Sequence, residues 1–330
     1  MLQQIGVGTI NQTRGRQQSG VRTLIVPERG ATRRLDNYLF SILKGVPKSH
    51  VYRIVRDGQV RVNGSRVRPD LRLEAGDRLR LPPIRSAEDK SVSLSEELLS
   101  LTIPILYEDT DLLVLDKPSG VAVHGGSGLR GGVIEILRHA RKPTDFLELA
   151  HRLDKDTSGC LILAKTPASL RYMHELFREN KNHHRITKIY RALVTGDWTG
   201  GVRQIDFGLR KHRTPGSQRR SIVSRSGHTA WSQFTPLKRF GDLTLMEITM
   251  GTGRMHQIRA HAAAVGHPVV GDKMYGDRQA FNKFRKLGIR RQLLHASRVV
   301  FPHPKTRRRL AIHSPYPEDF RQALALGEPQ

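Results

Sequence analysis

Near its middle the chain reads His151-Arg152-Leu153-Asp154-Lys155-Asp156-Thr157-Ser158-Gly159, followed by Cys160-Leu161-Ile162-Leu163-Ala164. The apolar run predicts a buried strand, and the charged turn lies immediately before it. Two carboxylates, an arginine and a histidine held rigidly beside a buried strand suit a catalytic loop at a cleft. On spacing alone, an ordinary turn whose Asp and Ser side chains bond only their own backbone explains the pattern as well.

Outward from this stretch, strand and helix signals alternate over the C-terminal two thirds of the chain. Apolar runs predict strands at Leu112–Leu115, Cys160–Ala164, Ile189–Val194, Thr244–Thr249 and Leu293–Phe301. Helical periodicity predicts helices at Val133–Ala140, at Pro167–Asn180, where proline takes the first position, and at His256–Val265, which Gly266 closes.

Two further clusters combine glycine with charged or polar residues. The segment from Gly251 to His261 places a flexible turn before a predicted helix, and a helix N-terminus with arginine nearby suits an anion. An ordinary amphipathic helix accounts for that spacing equally well. The segment from Leu115 to Gly126 is a strand followed by a Pro/Gly loop, which alone has the pattern of any surface connection.

The N-terminal part predicts a small separate domain. Apolar residues from Leu35 to Leu43 recur at helical spacing, and a second helix is expected from about Lys48 to Gly58. Alternating residues around Asn63-Gly64 then predict a hairpin with a type I′ turn, and Asp77–Pro83 predicts another strand. From Glu28 to Arg85 there are 14 Lys and Arg against 6 Asp and Glu, which favours nucleic-acid binding over a merely solvated surface.

The whole composition agrees with a polyanionic partner. The formal net charge is +26, because 56 Lys and Arg face 30 Asp and Glu. Cations that replace the counterions of phosphates drive such binding. The single cysteine, Cys160, excludes an intramolecular disulfide and a cysteine-based zinc site. Without an apolar run of roughly 20 residues or a signal peptide, we expect a protein with no membrane partner, in the cytoplasm.

Composition shifts predict the domain boundaries. We expect a flexible leader over 1–27, the small domain over 28–85, a Ser- and Glu-rich linker over 86–103 and a larger domain over 104–330.

Taken together, the motifs resemble the RluA-type pseudouridine synthases. The resemblance rests on the stretch from His151 to Ala164, on Gly251–His261 in the correct order after it, and on shorter pieces such as Val123–Gly128, Gly266–Pro268 and Leu294–Ala296. The N-terminal domain resembles the alpha-L RNA-binding domain through Arg34–Leu39, Gly58–Gly64 and Leu73–Asp77.

The resemblance implies an α+β catalytic domain on a mixed, largely antiparallel sheet with flanking helices. It implies that Asp154 is the catalytic aspartate, Tyr190 the active-site tyrosine and Arg259 the arginine that pairs with the aspartate. A guanidinium within about 4–6 Å favours the ionised form of a carboxylate. The expected substrate contacts are Arg152, His124, Arg254 and His256, with Arg53, Arg56 and Arg61 on the alpha-L domain.

The reaction implied is the isomerisation of uridine, which requires no cofactor and no metal. The expected partner is large-subunit ribosomal RNA, and the enzyme is expected to be a monomer.

Three other functions have to be compared with the sequence. A dinucleotide-binding oxidoreductase fits the glycines of Gly126–Gly131 with Glu148 downstream, but that fingerprint should follow a strand directly. A non-catalytic RNA-binding or ribosome-assembly protein fits the charge, and the Asp154, Tyr190 and Arg259 set argues against it. A metal enzyme would need His183, His184, His256 and His261 at spacings that one regular element does not bring together.

Overall fold

The computed structural model describes residues 20–43, 46, 48–84, 95–125, 131–141, 145–178, 185–213 and 219–326. Its contacts divide the described residues into two compact units, a small one within 20–84 and a large one within 95–326. Among these residues, no helix has the length and apolar character that crossing a bilayer requires. The Gly126–Gly131 motif and the pair His183 and His184 lie wholly or mostly outside the described residues.

The small unit has four strands and two helices. Its elements are β1 (Arg22–Ile25), α1 (Leu35–Ile42), α2 (Lys48–Arg56), β2 (Arg61–Val62), β3 (Ser65–Arg66) and β4 (Arg78–Leu81). The strands form an antiparallel sheet in the order β1-β4-β2-β3. The predicted hairpin is confirmed, because Asn63 and Gly64 have φ of 50° and 82°, as a type I′ turn requires at both positions.

The large unit begins with α3 (Glu96–Leu99). The elements that follow are β5 (Ile105–Glu108), β6 (Leu112–Lys117), α4 (Val133–Ala140), β7 (Glu148–Leu149), β8 (Ser158–Ala164), α5 (Pro167–Arg178), β9 (Thr187–Thr195), β10 (Arg203–Ile205), β11 (Leu209–His212), β12 (Arg220–Val223), β13 (Ser232–Phe240), β14 (Leu243–Met250), α6 (Gln257–Ala264), α7 (Arg278–Lys286), β15 (Leu294–Pro302), β16 (Arg309–His313) and α8 (Glu318–Ala325).

One large mixed sheet forms the framework of this unit. Its main path runs β10-β13-β14-β9-β15-β8-β6-β5, with β16 beside β15 and β7 beside β8, while β11 and β12 form a separate two-stranded sheet. Among the described strands, every pair is antiparallel except β8 with β15, where His295 lies opposite Ser158. The predicted α+β class with a largely antiparallel sheet is confirmed.

Helices cover both faces of the sheet, which explains why its central strands are almost wholly apolar. Alternate side chains of a strand point to opposite faces. One cluster joins α4 and α6 to Leu113, Leu115, Leu161 and Leu163. The other cluster joins α5 to Leu112, Val114, Cys160 and Ile162. Cys160 is accordingly a small buried side chain, and burial raises the pKa of its thiol to about 12.

Two predicted segments differ from the structure. The leader was expected to extend to Pro27, but Arg22–Ile25 form β1 and pair with β4, so the small unit starts earlier. The signal was weak because three of the four residues of β1 are exposed. The linker was expected to extend to 103, but Glu96–Leu99 form a helical turn and Ile103 is buried in the core of the large unit.

Candidate active site

The charged turn lies at the start of β8, which pairs with β15 in the only parallel strand pair among the described residues. Because β8 and β15 run in the same direction, the segments that precede them meet at one edge of the sheet. Arg291 Nη1 donates to the carbonyl oxygen of Asp156 at 3.2 Å, and Gln292 Nε2 donates to Thr157 Oγ1 at 2.9 Å. The fully buried Lys117 donates to the carbonyl oxygen of Lys155 at 2.9 Å. The loop that carries Asp154 is therefore held through its neighbours, and the Asp154 carboxylate stays available.

The Asp154 carboxylate contacts a guanidinium. Arg259 Nη1 on α6 donates to Asp154 Oδ2 at 3.1 Å, and the side chains are 9% and 20% exposed, respectively. A charge-assisted hydrogen bond of this kind is stronger than a neutral one and fixes the position of the carboxylate. The remaining exposure leaves Asp154 accessible to a ligand.

A second carboxylate, Asp272, holds Arg259 in place. Arg259 Nε donates to Asp272 Oδ2 at 2.6 Å and Nη2 donates to Oδ1 at 2.9 Å. Asp272 is fully buried and also accepts from the backbone N–H groups of Met274 and Tyr275. Burial alone would lower the pKa of Arg259, but the carboxylates of Asp272 and Asp154 raise it above its ordinary value. Arg259 is therefore a permanently charged group with its orientation fixed.

Tyr190 and His256 complete the surroundings of Asp154. Tyr190, on β9, is 6% exposed, and burial followed by the Asp154 charge raises its pKa, so it remains a neutral phenol. His256 precedes α6 in the left-handed region with φ of 52°, and its Nε2 lies 3.9 Å from Asp154 Oδ1. Burial lowers the pKa of His256, an effect that Asp154 opposes and Arg259 reinforces.

These groups line a cavity of about 670 Å³, which we call the catalytic cavity. Its walls include Asp154, Tyr190, Arg259, Arg152, Arg254 and His256. Residues of β11 and β12, among them Arg210 and Lys211, line another side. A cavity of this size accommodates a small-molecule or nucleotide-sized group.

The remaining predicted contact residues lie elsewhere. His124 lines an adjoining depression of about 470 Å³ that Asp154 and Arg152 also line. Arg53, Arg56 and Arg61 are exposed on α2 and β2 of the small unit.

Several residues that hold the site together were not predicted from the sequence. Asp272, Tyr275 and Arg291 each contact a predicted residue or its loop, and the Arg259 guanidinium lies 5.0 Å from the centre of the Tyr275 ring. Their spacing carries no periodic or motif signal, because each acts through a contact that only the tertiary structure creates. A carboxylate 13 residues after Arg259 can be recognised as its partner only in three dimensions.

Within the described part of the chain, one group of side chains has the arrangement of metal ligands, namely Asp109, Asp111 and His303. Asp109 Oδ1 accepts from the N–H groups of Asp111 and Leu112, and Oδ2 accepts from the Tyr107 hydroxyl at 2.6 Å and contacts His303 Nε2 at 2.8 Å. Hydrogen bonds within the protein therefore explain why these three side chains lie together, and the cluster is a structural turn.

Gly159, just after the charged turn, makes a close approach that only glycine permits. Its φ is +108°, and a Cβ there would lie 2.3 Å from the carbonyl oxygen of Ala296 on β15. We expect Gly159→Ala to lower the free energy of unfolding by roughly 2–5 kcal/mol, from backbone strain and overlap together. Urea unfolding followed by circular dichroism measures this loss.

The matched control is Gly241→Ala. Gly241 also has a positive φ, +62°, but no atom lies within 4 Å of its added Cβ. Only the backbone strain of about 1–2 kcal/mol is expected there. Equal losses in the two variants would contradict the role assigned to the contact between β8 and β15.

Comparison with known proteins identifies the class that this fold and site define. A profile of the RNA pseudouridylate synthase family matches residues 111–264, and a profile of the S4 domain matches residues 33–79. Together with relatives at more than 40% identity over nine tenths of the chain, these matches show the family. The chain belongs to the RNA pseudouridine synthases of the RluA type and carries an N-terminal S4 RNA-binding domain.

The most similar relatives include two bacterial proteins named "Ribosomal large subunit pseudouridine synthase C". The chain is 43% identical to that of Pasteurella multocida over 307 residues, which cover 92% of this chain and 93% of the relative. It is 42% identical to that of Haemophilus influenzae over 309 residues, which cover 93% and 95%. Among solved structures, "Human RNA Pseudouridylate Synthase Domain Containing 1" matches with a TM-score of 0.54 and 28% identity over 65% of this chain and 84% of that one.

Proposed function

We propose that this chain converts specific uridines of large-subunit ribosomal RNA into pseudouridine, with Asp154 as the catalytic carboxylate. The observation that carries the proposal is a partly exposed Asp154 carboxylate, paired with Arg259, in the wall of a cavity of about 670 Å³. The named activity of the relatives at 42–43% identity supports the choice of substrate.

The reaction moves the uracil from one attachment to another without net change of atoms. The N1–C1′ bond breaks, the uracil rotates, the C5–C1′ bond forms, and the proton on C5 leaves while N1 gains one. Asp154 acts in bond cleavage as nucleophile or base. Tyr190 packs beside the uracil near C5, and Arg259 holds the Asp154 carboxylate in its orientation.

The basic surfaces supply substrate affinity. A target base must leave its stack, which costs a few kcal/mol, and phosphate contacts offset that cost. Arg152, Arg254, His256 and His124 are the proposed contacts around the reaction centre. We also propose that the enzyme is a cytoplasmic monomer. Asp154, Tyr190 and Arg259 lie in the large unit of one chain, so a monomer holds all three.

The direct test maps pseudouridines in ribosomal RNA from cells with and without the gene. We expect one or a few large-subunit positions to lose the modification and to regain it with the intact gene, but not with Asp154→Asn. An unchanged map would refute the proposed substrate. The alternative, a non-catalytic RNA-binding protein, predicts restoration by both genes or no change at all.

The proposed role of the small unit can be tested through its charge. Replacing Arg53, Arg56 and Arg61 together by Gln should weaken binding of ribosomal RNA without changing kcat. If each arginine contacts one phosphate of a single-stranded segment, the slope of log Kd against log salt concentration should fall by about 2. Filter binding at several salt concentrations measures this slope.

The control removes the same charge from the large unit, at the exposed Lys305, Arg308 and Arg309. We expect a smaller change in slope, because net charge falls equally but the proposed contact surface is intact. If both triple variants behave alike, overall charge and not the S4 domain drives binding.

A further inference from the structure

A second cavity adjoins the catalytic cavity and has no role in the reaction described above. It measures about 910 Å³, and it shares with the catalytic cavity a common wall formed by Arg152, Tyr190, Met250, Gly253 and Arg254. We call it the flanking cavity. Because the two compartments share a wall, a group bound in one lies next to a group bound in the other.

Lys188 is the distinctive residue of the flanking cavity. It lies two positions before Tyr190 on the same face of β9, which corresponds to about 6.7 Å along a strand. Lys188 is only 9% exposed, yet it lines this cavity. Its ammonium donates to the carbonyl oxygen of Thr252 at 3.2 Å, and no described carboxylate pairs with it. An ammonium has three donors, so Lys188 keeps donors that an anion bound in the cavity can accept from.

The rest of the wall suits a nucleotide. Arg254 Nε donates to the carbonyl oxygen of Thr229 at 3.1 Å, which anchors that guanidinium at the common wall. The Phe177 ring lies 5.9 Å from Lys188 Nζ and 5.2 Å from the His151 ring. Asp206 is the one carboxylate among the lining residues, and it is exposed and accepts from Gln204.

Burial lowers the pKa of Lys188 to about 8, so its amine is still mostly protonated at pH 7. The cavity therefore combines the Lys188 ammonium and the Arg254 guanidinium of the common wall with the aromatic surface of Phe177. Phosphate contacts and base stacking on an aromatic ring are two of the interactions by which proteins hold single-stranded RNA.

We propose that the flanking cavity binds the RNA nucleotide next to the target uridine. Lys188 and Arg254 contact the phosphate that joins the two nucleotides, and the neighbouring base lies against Phe177. This inference rests on the proposed function. It adds that the enzyme holds two adjacent nucleotides out of the RNA stack, so that the neighbour helps to keep the target base in the catalytic cavity.

The first experiment uses the unaltered enzyme. Short RNAs that contain a mapped target uridine are made with one phosphate at a time replaced by an uncharged methylphosphonate. We expect one linkage beside the target to raise KM by about 10-fold or more, as expected for the loss of a charged hydrogen bond. More distant single linkages should have smaller effects. A uniform effect of all linkages would overturn the proposal.

The second experiment uses Lys188→Met, which keeps much of the side-chain length without the charge. On normal RNA, KM should rise by about 10–100-fold while kcat is largely retained. On RNA with the neutral linkage, Lys188→Met should cause little further loss, because the partner of Lys188 is already absent. Lys188→Arg, which keeps the charge, should rescue binding. Losses that multiply independently would overturn the assignment of Lys188 to that phosphate.

The two proposals fail in different ways. If the proposed function is wrong, no ribosomal RNA fragment is turned over by any form of the enzyme. If only the flanking cavity is wrongly assigned, turnover persists and the linkage scan shows no dependence on Lys188. Thermal unfolding of Lys188→Met separates a binding defect from misfolding, and the linkage scan on the unaltered enzyme stands without any variant.

Discussion

Asp154→Asn is expected to lower kcat by at least about 1,000-fold while leaving RNA affinity nearly unchanged. The substitution keeps the shape of the side chain and removes its charge, so neither nucleophilic attack nor proton removal remains. Arg259 stays in position because Asp272 holds it through two hydrogen bonds. The measurement is release of tritium from C5-labelled uridine in ribosomal RNA, with binding followed separately by filter retention.

Asp156→Asn is the matched control. Asp156 lies in the same turn, but its described contact with the site is made by its carbonyl oxygen, which accepts from Arg291. We expect this variant to keep most of the activity. Turnover retained by Asp154→Asn would mean that a different group performs the cleavage, and an equal loss in both variants would mean that the turn tolerates no change of charge.

Arg259→Met is expected to damage both chemistry and folding. Asp154 loses the guanidinium that orients it, and a misplacement of about 1 Å at a reacting group costs about 100-fold in rate. Asp272, whose side chain is fully buried, is left as an unpaired charge, which costs about 3–5 kcal/mol of folding stability. Tritium release and urea unfolding measure the two losses in one preparation.

The double variant Arg259→Met with Asp272→Asn separates these effects. Removing the stranded charge should restore most of the free energy of unfolding, because an asparagine can still accept from the N–H groups of Met274 and Tyr275. Activity should stay low, because nothing replaces the contact with Asp154. If activity returns together with stability, Arg259 acts on the reaction only by maintaining the fold.

Local chemistry explains which parts of the fold the sequence could predict. The hairpin at Asn63-Gly64 follows from two residues that tolerate positive φ, and α5 follows from a proline that cannot donate a hydrogen bond at the first helical position. The strands β6 and β8 follow from apolar runs that both faces of the sheet bury. In each case the residues that determine the element are neighbours along the chain.

The leader and the linker were predicted with wrong bounds because the contacts that order these segments are with residues far away along the chain. Arg22–Ile25 become a strand only because β4, more than fifty residues later, offers its edge. An exposed four-residue segment carries no pattern strong enough to reveal that pairing. Ile103 likewise became a core residue, although it follows a polar stretch that has the composition of a linker.

The same distinction applies to the candidate site. The sequence predicts Asp154, Tyr190 and Arg259, because each lies in a motif of contiguous residues whose types suit the chemistry. The contact between Asp154 and Arg259 joins residues 105 positions apart, and no sequence motif reveals the contact of Asp272 with Arg259. These contacts exist only in the folded chain, because tertiary packing, and not distance along the chain, brings the loop before β8, helix α6 and Asp272 together.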